Sequence, residues 1–166
     1  MGSPTLDIRL ISAQGVKNVR KLQVRSLFKM KVYVVGFIDG DPDSKQQTPA
    51  DNDGSTNPFW DFQMKFKIHE SAIRDDQAHL VLELYCDRRL ADPKYVGEVR
   101  VPIKELFDRA GERTSDLAVS YPVTQPSQDP EGKLNFWYKF VGVSLPNEIP
   151  SPPHKPPSNI RKGLSI

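Results

Sequence analysis

Lysines and arginines are the residues of this chain whose type and spacing most clearly indicate a chemical role, namely the binding of anionic partners. The segment VRKLQVRSLFKMK, Val19 to Lys31, carries five basic side chains and no acidic one, and residues 17–31 carry six cations and no anion. Residues 39–61 show the opposite pattern, with six aspartates and one lysine. Clustered lysine and arginine side chains produce a local positive field that attracts anionic partners. The pattern therefore indicates a binding surface.

The sequence offers little for catalysis. His69, His79 and His154 are scattered, without a serine, cysteine or carboxylate partner in a known motif, and there is no glycine-rich phosphate loop. The single cysteine, Cys86, excludes an internal disulfide and a cysteine-based zinc cluster. It is typical of a reducing, cytosolic setting, and such a residue is more often a small buried hydrophobe than a reactive thiol. We therefore predict a protein that is not an enzyme and that has no cofactor and no metal.

Composition and charge narrow the choice of partner. The chain has 166 residues, of which 37% are hydrophobic and 27% charged, as is typical of one soluble domain. It contains no apolar run near the ~18 residues of a transmembrane helix and no signal sequence at its start. Residues 1–142 hold 20 basic and 20 acidic side chains, so the net charge of +2 comes from the last 24 residues. A neutral body without aromatic residues clustered beside the cations argues against nucleic acid as a partner.

Most of the chain is patterned for β-strands. Five segments alternate apolar and polar residues, as a half-buried antiparallel sheet requires, and two further apolar runs bring the prediction to seven or eight strands. The alternating segments begin at Leu6, Met64, Leu80, Val99 and Leu134, and the apolar runs are residues 32–38 and 120–123. Turn formers separate them at residues 39–42, 53–54 and 57–58. Only residues 103–107, after Pro102, indicate a helix. This pattern predicts an all-β sandwich.

The alternation stops at about Val143, and prolines then follow in quick succession. They are Pro146, Pro150, Pro152, Pro153, Pro156 and Pro157. We predict that residues 143–166 form a disordered, Pro-rich tail that samples extended polyproline conformations. A linker and a docking peptide for aromatic-lined grooves are both compatible with this composition. The predicted folded domain therefore covers residues 5–142.

Four segments, in this order, resemble a C2 domain. They are residues 5–13 (TLDIRLISA) followed by Gly15-Val16, residues 31–34 (KVYV), residues 57–60 (NPFW) leading to 62–66 (FQMKF), and residues 95–99 (YVGEV) leading to 101–103 (VPI). The closing segment 132–140 (GKLNFWYKF) and the tail resemble the small plant C2 proteins of the SRC2 and BON-association (BAP) type. The resemblance covers residues 5–142. It implies an eight-stranded antiparallel Greek-key β-sandwich in the circularly permuted, type II order, with three variable loops at one end.

The resemblance also indicates where calcium-binding C2 domains carry aspartates, in the first and third of these loops. In this chain those positions fall on Arg25, Lys31, Cys86, Arg88 and Lys94, so that none is acidic and four are cationic. Shifting the alignment by one residue would bring in Asp87. One carboxylate cannot supply the about six to eight oxygen ligands of a calcium ion. The resemblance thus implies a calcium-independent domain.

Two aspartates in the second loop leave an alternative open. Asp51 and Asp53 add carboxylates, but the rest of a calcium-binding motif is missing around them. We expect a turn whose aspartates pair with the neighbouring basic loop. Residual calcium binding through Asp51, Asp53 or Asp87 is the competing interpretation.

These observations lead to the hypothesis that fixed cations stand in place of the metal and face an anionic membrane. The predicted membrane-binding residues are Arg20, Lys21, Arg25, Lys29, Lys31, Arg88, Arg89 and Lys94. Leu27 and Phe28 are candidates for insertion into the bilayer, and packing beneath the loop as core residues is an equal alternative. A basic rim that is simply solvated is the other interpretation of the same charges.

The resulting prediction is a non-catalytic, calcium-independent C2 module that binds anionic phospholipid membranes reversibly and acts as an adaptor in plant stress and defence signalling. It would be cytoplasmic and peripheral at the inner face of the plasma membrane. By family resemblance its protein partner would be a copine-like protein or a membrane oxidase. The alternative is a protein-protein interaction scaffold with incidental membrane contact. Trp137 falls on the polar face of its strand, where it is either a contact residue or packed under the tail.

Overall fold

The protein is a sandwich of two antiparallel four-stranded sheets. The computed structural model describes residues 4–20 and 29–143. Their strands are β1 (Thr5–Gln14), β2 (Val32–Ile38), β3 (Asp41–Gln47), β4 (Phe59–Lys67), β5 (His79–Cys86), β6 (Lys94–Pro102), β7 (Leu117–Pro122) and β8 (Lys133–Val141). A short 3-10 helix spans Glu70–Ile73, and the helix α1 spans Ile103–Ala110. The predicted eight-stranded β-sandwich is confirmed.

Strand order follows the permuted arrangement. Sheet A has the order β4-β1-β8-β7, and sheet B has the order β3-β2-β5-β6. The last strand lies beside the first, with Thr5 opposite Val141 and Gln14 opposite Lys133. The strand that follows Gly132 and begins with Lys133-Leu134 is thus the last of the chain, and it lies between β1 and β7 as the expected type II order requires.

One end of the sandwich collects four connections, residues 15–31, 48–58, 87–93 and 123–132, which we call the loop end. On sheet A, Gln14 and Pro122 both lie opposite Lys133, so β1 and β7 finish where β8 begins. On sheet B, Cys86 is paired with both Val32 and Lys94, so β5 finishes where β2 and β6 begin. The first, second and third connections are the variable loops that the C2 resemblance implies.

Alternation along each strand builds the core. Leu6, Ile8 and Leu10 of β1 are almost completely buried, and inward residues of the other strands pack against them in one cluster. At Gly36 on β2 a Cβ atom would lie 2.7 Å from the Met64 sulfur, so a larger residue there would require the Met64 side chain to move. The two sheets therefore approach closely at this point. Cys86 is fully buried, as the sequence predicted.

Strand β3 is an element that the sequence pattern does not indicate. The sequence predicts a turn that includes Asp41 and Pro42, but the turn ends at Gly40, whose φ is 88°, and Asp41 begins the strand. β3 is an exposed edge strand, where the missing N–H of a proline is tolerated. The Gln46 side-chain amide donates to the backbone carbonyl of Lys65 at 2.7 Å, and it accepts a hydrogen bond from the backbone N–H of Lys65 at 3.3 Å. Gln46 thereby covers the edge of β4 as a neighbouring strand would.

The helix is longer than predicted, and it lies in the connection from β6 of sheet B to β7 of sheet A. α1 follows Pro102 as expected, but it continues to Ala110 and ends at Gly111, whose φ is 60°. None of the helices in the described ranges has the length and apolar character needed to cross a bilayer. The chain is described as far as Val143. Of the predicted Pro-rich tail, residues 143–166, only Val143 is described, and the prediction for residues 144–166 lies outside the described part.

We predict that the protein becomes less stable in alkali, because its tyrosines are partly or fully buried. Burial raises the pKa of all five tyrosines, and it raises the pKa of Tyr138 to about 12. The Tyr138 hydroxyl donates to the Leu106 carbonyl at 2.6 Å. Above the ordinary tyrosine pKa of about 10, the unfolded chain loses protons that the native protein still holds, so the free energy of unfolding falls as pH rises. Urea unfolding at several pH values measures this fall.

Tyr138→Phe provides the control for this prediction. Because phenylalanine has no ionisable proton, the fall between about pH 10 and about pH 12 is expected to be shallower in the variant, whatever its stability at neutral pH. An identical slope in the variant and the natural protein would show that Tyr138 ionises equally easily in both states.

Candidate functional site

The second connection forms a platform for the first. The N–H of Gly15 donates to the Asn57 side chain at 2.9 Å, and the N–H of Val16 donates to the Thr56 carbonyl at 3.0 Å. At the far side, the N–H of Met30 donates to the Ser55 hydroxyl at 3.2 Å. Both ends of the basic segment are thus fixed to residues 48–58. Residues 21–28, between them, lie outside the described part of the chain.

The platform is a tight turn that uses the carboxylate of Asp51. This carboxylate accepts the N–H of Gly54 at 2.7 Å, and the Gly54 carbonyl accepts the N–H of Asn57 at 2.8 Å. A Cβ atom on Gly54 would lie 2.2 Å from the Asn57 oxygen, so the turn requires glycine. Over residues 4–20 and 29–143, the ion pairs include neither Asp51 nor Asp53. The expected pairing of these aspartates with the basic loop is not found there, and Asp51 instead holds the backbone of the turn.

The backbone brings cations of the first and third connections together. The N–H of Asp87 donates to the Lys31 carbonyl at 2.8 Å, which extends the pairing of β2 and β5 into the loops. Lys94 lies on the other side, since Cys86 is opposite both Val32 and Lys94. Lys29, Lys31, Arg89 and Lys94 are all exposed. Two loops that are about 60 residues apart in sequence therefore form one basic surface at the loop end.

Several predicted residues have additional roles or lie beyond the described ranges. Arg88 is half-buried, and its Nε donates to the Asp92 carbonyl at 2.7 Å, so this side chain also closes the third loop. Arg20 is half-buried, and its N–H donates to the Asn18 side chain at 2.9 Å. The predictions for the remaining loop residues lie outside the described part of the chain and remain predictions: Lys21, Arg25, Leu27 and Phe28.

Leu90 is a functional candidate that the sequence analysis missed. It lies in the third connection between Arg89 and Ala91, and its side chain is 96% exposed. An apolar side chain with this exposure gains free energy if it is transferred out of water. The feature that could have identified it in the sequence is a leucine that follows two arginines and precedes the turn-forming pair Asp92-Pro93. It is a weak signal, because single exposed apolar residues are common.

The described carboxylates do not converge at the loop end. Among residues 4–20 and 29–143, no three or more histidine, cysteine, aspartate or glutamate side chains are grouped so that they could hold a metal ion. At the third-loop positions the Cys86 side chain is buried, whereas Asp87 is exposed. Asp87 therefore reaches the surface beside Lys31 across the strand pair, and Asp92 of the same connection is exposed as well.

The fold and the three-loop end define the class of protein. The family model of the C2 domain matches residues 4–117, and the chain belongs to this family. Among curated proteins, it is 38% identical over 152 residues to Protein SRC2 homolog of Arabidopsis thaliana, covering 92% of this chain and 45% of that protein. It is 35% identical over 161 residues to Protein SRC2 of Glycine max, covering 96% and 52%. The resemblance to plant SRC2-type proteins is confirmed, and the chain spans about half the length of these relatives.

Solved structures support the fold alone, because their sequences are distant. A C2 domain of plant extended synaptotagmin 1 superposes with a TM-score of 0.65 at 16% identity, covering 84% of this chain and 95% of that domain. Human GIVD cytosolic phospholipase A2 superposes with a TM-score of 0.62 at 17% identity, covering 83% of this chain and 15% of the phospholipase. In both cases the similarity extends over the sandwich.

Proposed function

We propose that this protein is a non-catalytic C2 module that binds anionic phospholipid membranes reversibly and without calcium, through the loop end. The observation that carries the proposal is that cations of the first and third loops lie on one surface. They occupy, or lie beside, the positions where calcium-binding members carry aspartates. These cations are Lys29, Lys31, Arg88, Arg89 and Lys94. In the calcium-binding members the bound ion supplies the positive charge. Here the side chains supply it permanently.

Simple energetics place this binding in the weak, reversible range. Each lysine or arginine near an anionic membrane contributes about 1 kcal/mol at best, so four exposed cations contribute about 4 kcal/mol. Insertion of Leu90 would add up to about 1.5–3 kcal/mol. Together these correspond to dissociation constants between about the millimolar and ten-micromolar ranges. Stable residence at the membrane therefore requires a further contact.

The further contact is, in this proposal, a protein partner at the inner face of the plasma membrane, so that the module acts as an adaptor. The similarity to SRC2 of soybean and its Arabidopsis homologue supports a role in plant stress or defence signalling, as the sequence resemblance implies. A copine-like protein and a membrane oxidase are the partners that the same resemblance suggests. Lipid contact at the loop end leaves the outer face of sheet B available for such a partner.

A protein-interaction scaffold is the second candidate, and one observation favours it. Tyr33, Tyr85 and Tyr95 form a row across β2, β5 and β6, with ring centroids 5.8 Å and 5.9 Å apart. Tyr85 and Tyr95 donate to Glu83 and Glu98, each at 2.9 Å. Tyrosines with a half-buried ring and a polar tip are enriched in protein interfaces.

Vesicle sedimentation separates the two candidates. We expect the protein to sediment with vesicles that contain phosphatidylserine and not with pure phosphatidylcholine, to the same extent in EGTA and in calcium. Raising the salt from about 0.1 M to about 0.5 M should weaken binding several-fold, because it screens exposed charges. Binding that appears only on adding calcium would contradict the proposed mechanism. An absence of lipid uptake under all these conditions would favour the scaffold.

A further inference from the structure

The outer face of sheet A exposes large apolar side chains. In the described ranges, four large apolar residues are strongly exposed, and three of them lie on this face: Phe59 at 59%, Trp137 at 46% and Val141 at 45%. Trp137 points outward because its neighbours on β8, Phe136 and Tyr138, are fully buried on the inner side. Exposed apolar residues that are grouped on one face of a sheet are a feature of contact surfaces.

Cations surround these apolar residues in rows that the register defines. Across β4, β1 and β8 the rows are Lys67-Thr5-Val141, Lys65-Asp7-Lys139 and Gln63-Arg9-Trp137, followed towards the loop end by Phe59-Ser12-Asn135. Lys133 follows on β8, opposite Gln14. The face thus carries five cations against two carboxylates, Asp7 and Asp61, and the second of these pairs with Arg9 at 3.0 Å.

The opposite face has a different character. On the outside of sheet B, Glu83, Glu98 and Asp43 stand against Lys45 and Arg100. Its aromatic residues are three tyrosines, of which Tyr85 and Tyr95 donate to carboxylates, and the half-buried Phe37, whose ring centroid lies 5.6 Å from the Lys45 ammonium. The combination of exposed tryptophan and phenylalanine with excess positive charge therefore belongs to one face of the sandwich and is not a general property of its surface.

The basic face continues into the loop end. Phe59 begins β4 directly after the second connection, and Lys133 begins β8 directly after the fourth. The first and fourth connections meet where the Lys17 ammonium donates to the Gln128 side chain at 3.0 Å. A bilayer that touches the loop end can therefore reach the outer face of sheet A if the domain tilts.

We propose that the outer face of sheet A is a second membrane-contact surface, on which the domain tilts so that Trp137 and Phe59 lie at the headgroup level of an anionic bilayer. This inference rests on the proposed membrane binding. Tryptophan favours the interface because its ring is amphipathic, and lysines extend apolar stems with charged tips. Neighbouring outward side chains on a sheet are about 5–7 Å apart. Headgroups that move laterally can meet each cation of such an open array, whereas a folded acidic protein would need charges fixed at matching positions.

Tryptophan fluorescence tests the inference directly. The chain has two tryptophans, so Trp60→Phe leaves Trp137 as the only reporter. With vesicles that contain phosphatidylserine, we expect the emission of Trp137 to shift to shorter wavelength and to be quenched by lipids brominated near the headgroup. If the protein sediments with the vesicles while this emission is unchanged, the inference is wrong and loop-end binding stands. If nothing sediments, the proposed membrane binding itself fails.

A matched pair of charge variants provides the second measurement. Lys65→Gln with Lys139→Gln should weaken vesicle binding about tenfold, since each cation near the membrane contributes up to about fivefold. Lys45→Gln with Lys104→Gln removes the same charge from sheet B and α1, and should change binding less than about twofold. Equal losses in the two variants would overturn the inference, because they would show that net charge alone matters. Emission of Trp137 that is already shifted without vesicles would also overturn it, by showing that the ring is covered by protein.

Discussion

Replacing Lys29, Lys31, Arg89 and Lys94 together by glutamine is expected to weaken binding to phosphatidylserine vesicles by more than a hundredfold. All four side chains are exposed at the loop end, and each contributes up to about 1 kcal/mol near an anionic surface. Their combined contribution of up to about 4 kcal/mol corresponds to a factor approaching a thousand. Sedimentation against a series of lipid concentrations measures the change. Exposed substitutions of this kind rarely alter the free energy of unfolding by more than about 0.5 kcal/mol.

The control for this variant removes four cations that lie away from the loop end. Lys45, Arg74, Lys104 and Arg113 lie in or near β3, the β4–β5 connection and α1. Replacing them by glutamine changes the net charge equally, and we expect a loss in binding of less than about fivefold. A loss as large as that of the loop-end variant would contradict the proposal, because it would mean that the overall field attracts the membrane. Keeping Arg88 in both variants preserves its bond to the Asp92 carbonyl, which closes the third loop.

The strands that the sequence predicted are those that bury a face. Leu6, Ile8 and Leu10 alternate with polar residues because one side of β1 faces the second sheet, and burial of that side leaves a period of two in the sequence. β3 leaves no such trace. Its sequence, DPDSKQQ, contains no large apolar side chain besides its proline, and the strand is held by pairing with β2 and by the contact of Gln46 with Lys65. Backbone pairing at an exposed edge makes no demand on side-chain polarity, so hydrophobic patterning cannot detect it.

Some features of the candidate site could likewise be predicted from local sequence, whereas others depend on contacts between distant segments of the chain. The cations of the first loop could be recognised from a single run of sequence, and the family resemblance added those of the third loop. The tie between Lys31 and Asp87 depends on strand register, and no local pattern reports it. For Asp51 the charge suggested an ion pair, and this prediction did not match the structure. Its carboxylate instead accepts a hydrogen bond from a backbone N–H of its own turn. Charge can be counted from sequence, but the partner of a charge is set by the fold.

The largest effect on stability is expected from Phe136→Ala. Phe136 is completely buried on the inner side of β8, where its ring stacks on Tyr121 at a centroid distance of 5.8 Å and lies 6.2 Å from the ring of Tyr138. Truncating a buried phenylalanine removes its transfer free energy and leaves a cavity, which together cost about 3–5 kcal/mol. Since domains of this size are stable by about 5–15 kcal/mol, this is a large fraction of the total. Urea unfolding followed by circular dichroism measures the loss.

Trp137→Ala, one residue further along the same strand, is the matched control. The two substitutions remove large aromatic rings from adjacent positions, but Trp137 is 46% exposed on the outer side of β8. We expect this variant to lose less than about 1 kcal/mol, because much of its ring contacts water rather than the core. A loss comparable to that of Phe136→Ala would mean that Trp137 is covered in solution, and sheet A would then have no free outer face to place against a bilayer. Stability measured without any lipid therefore bears on the membrane proposal, since an aromatic residue that contributes little to the fold is available for contact.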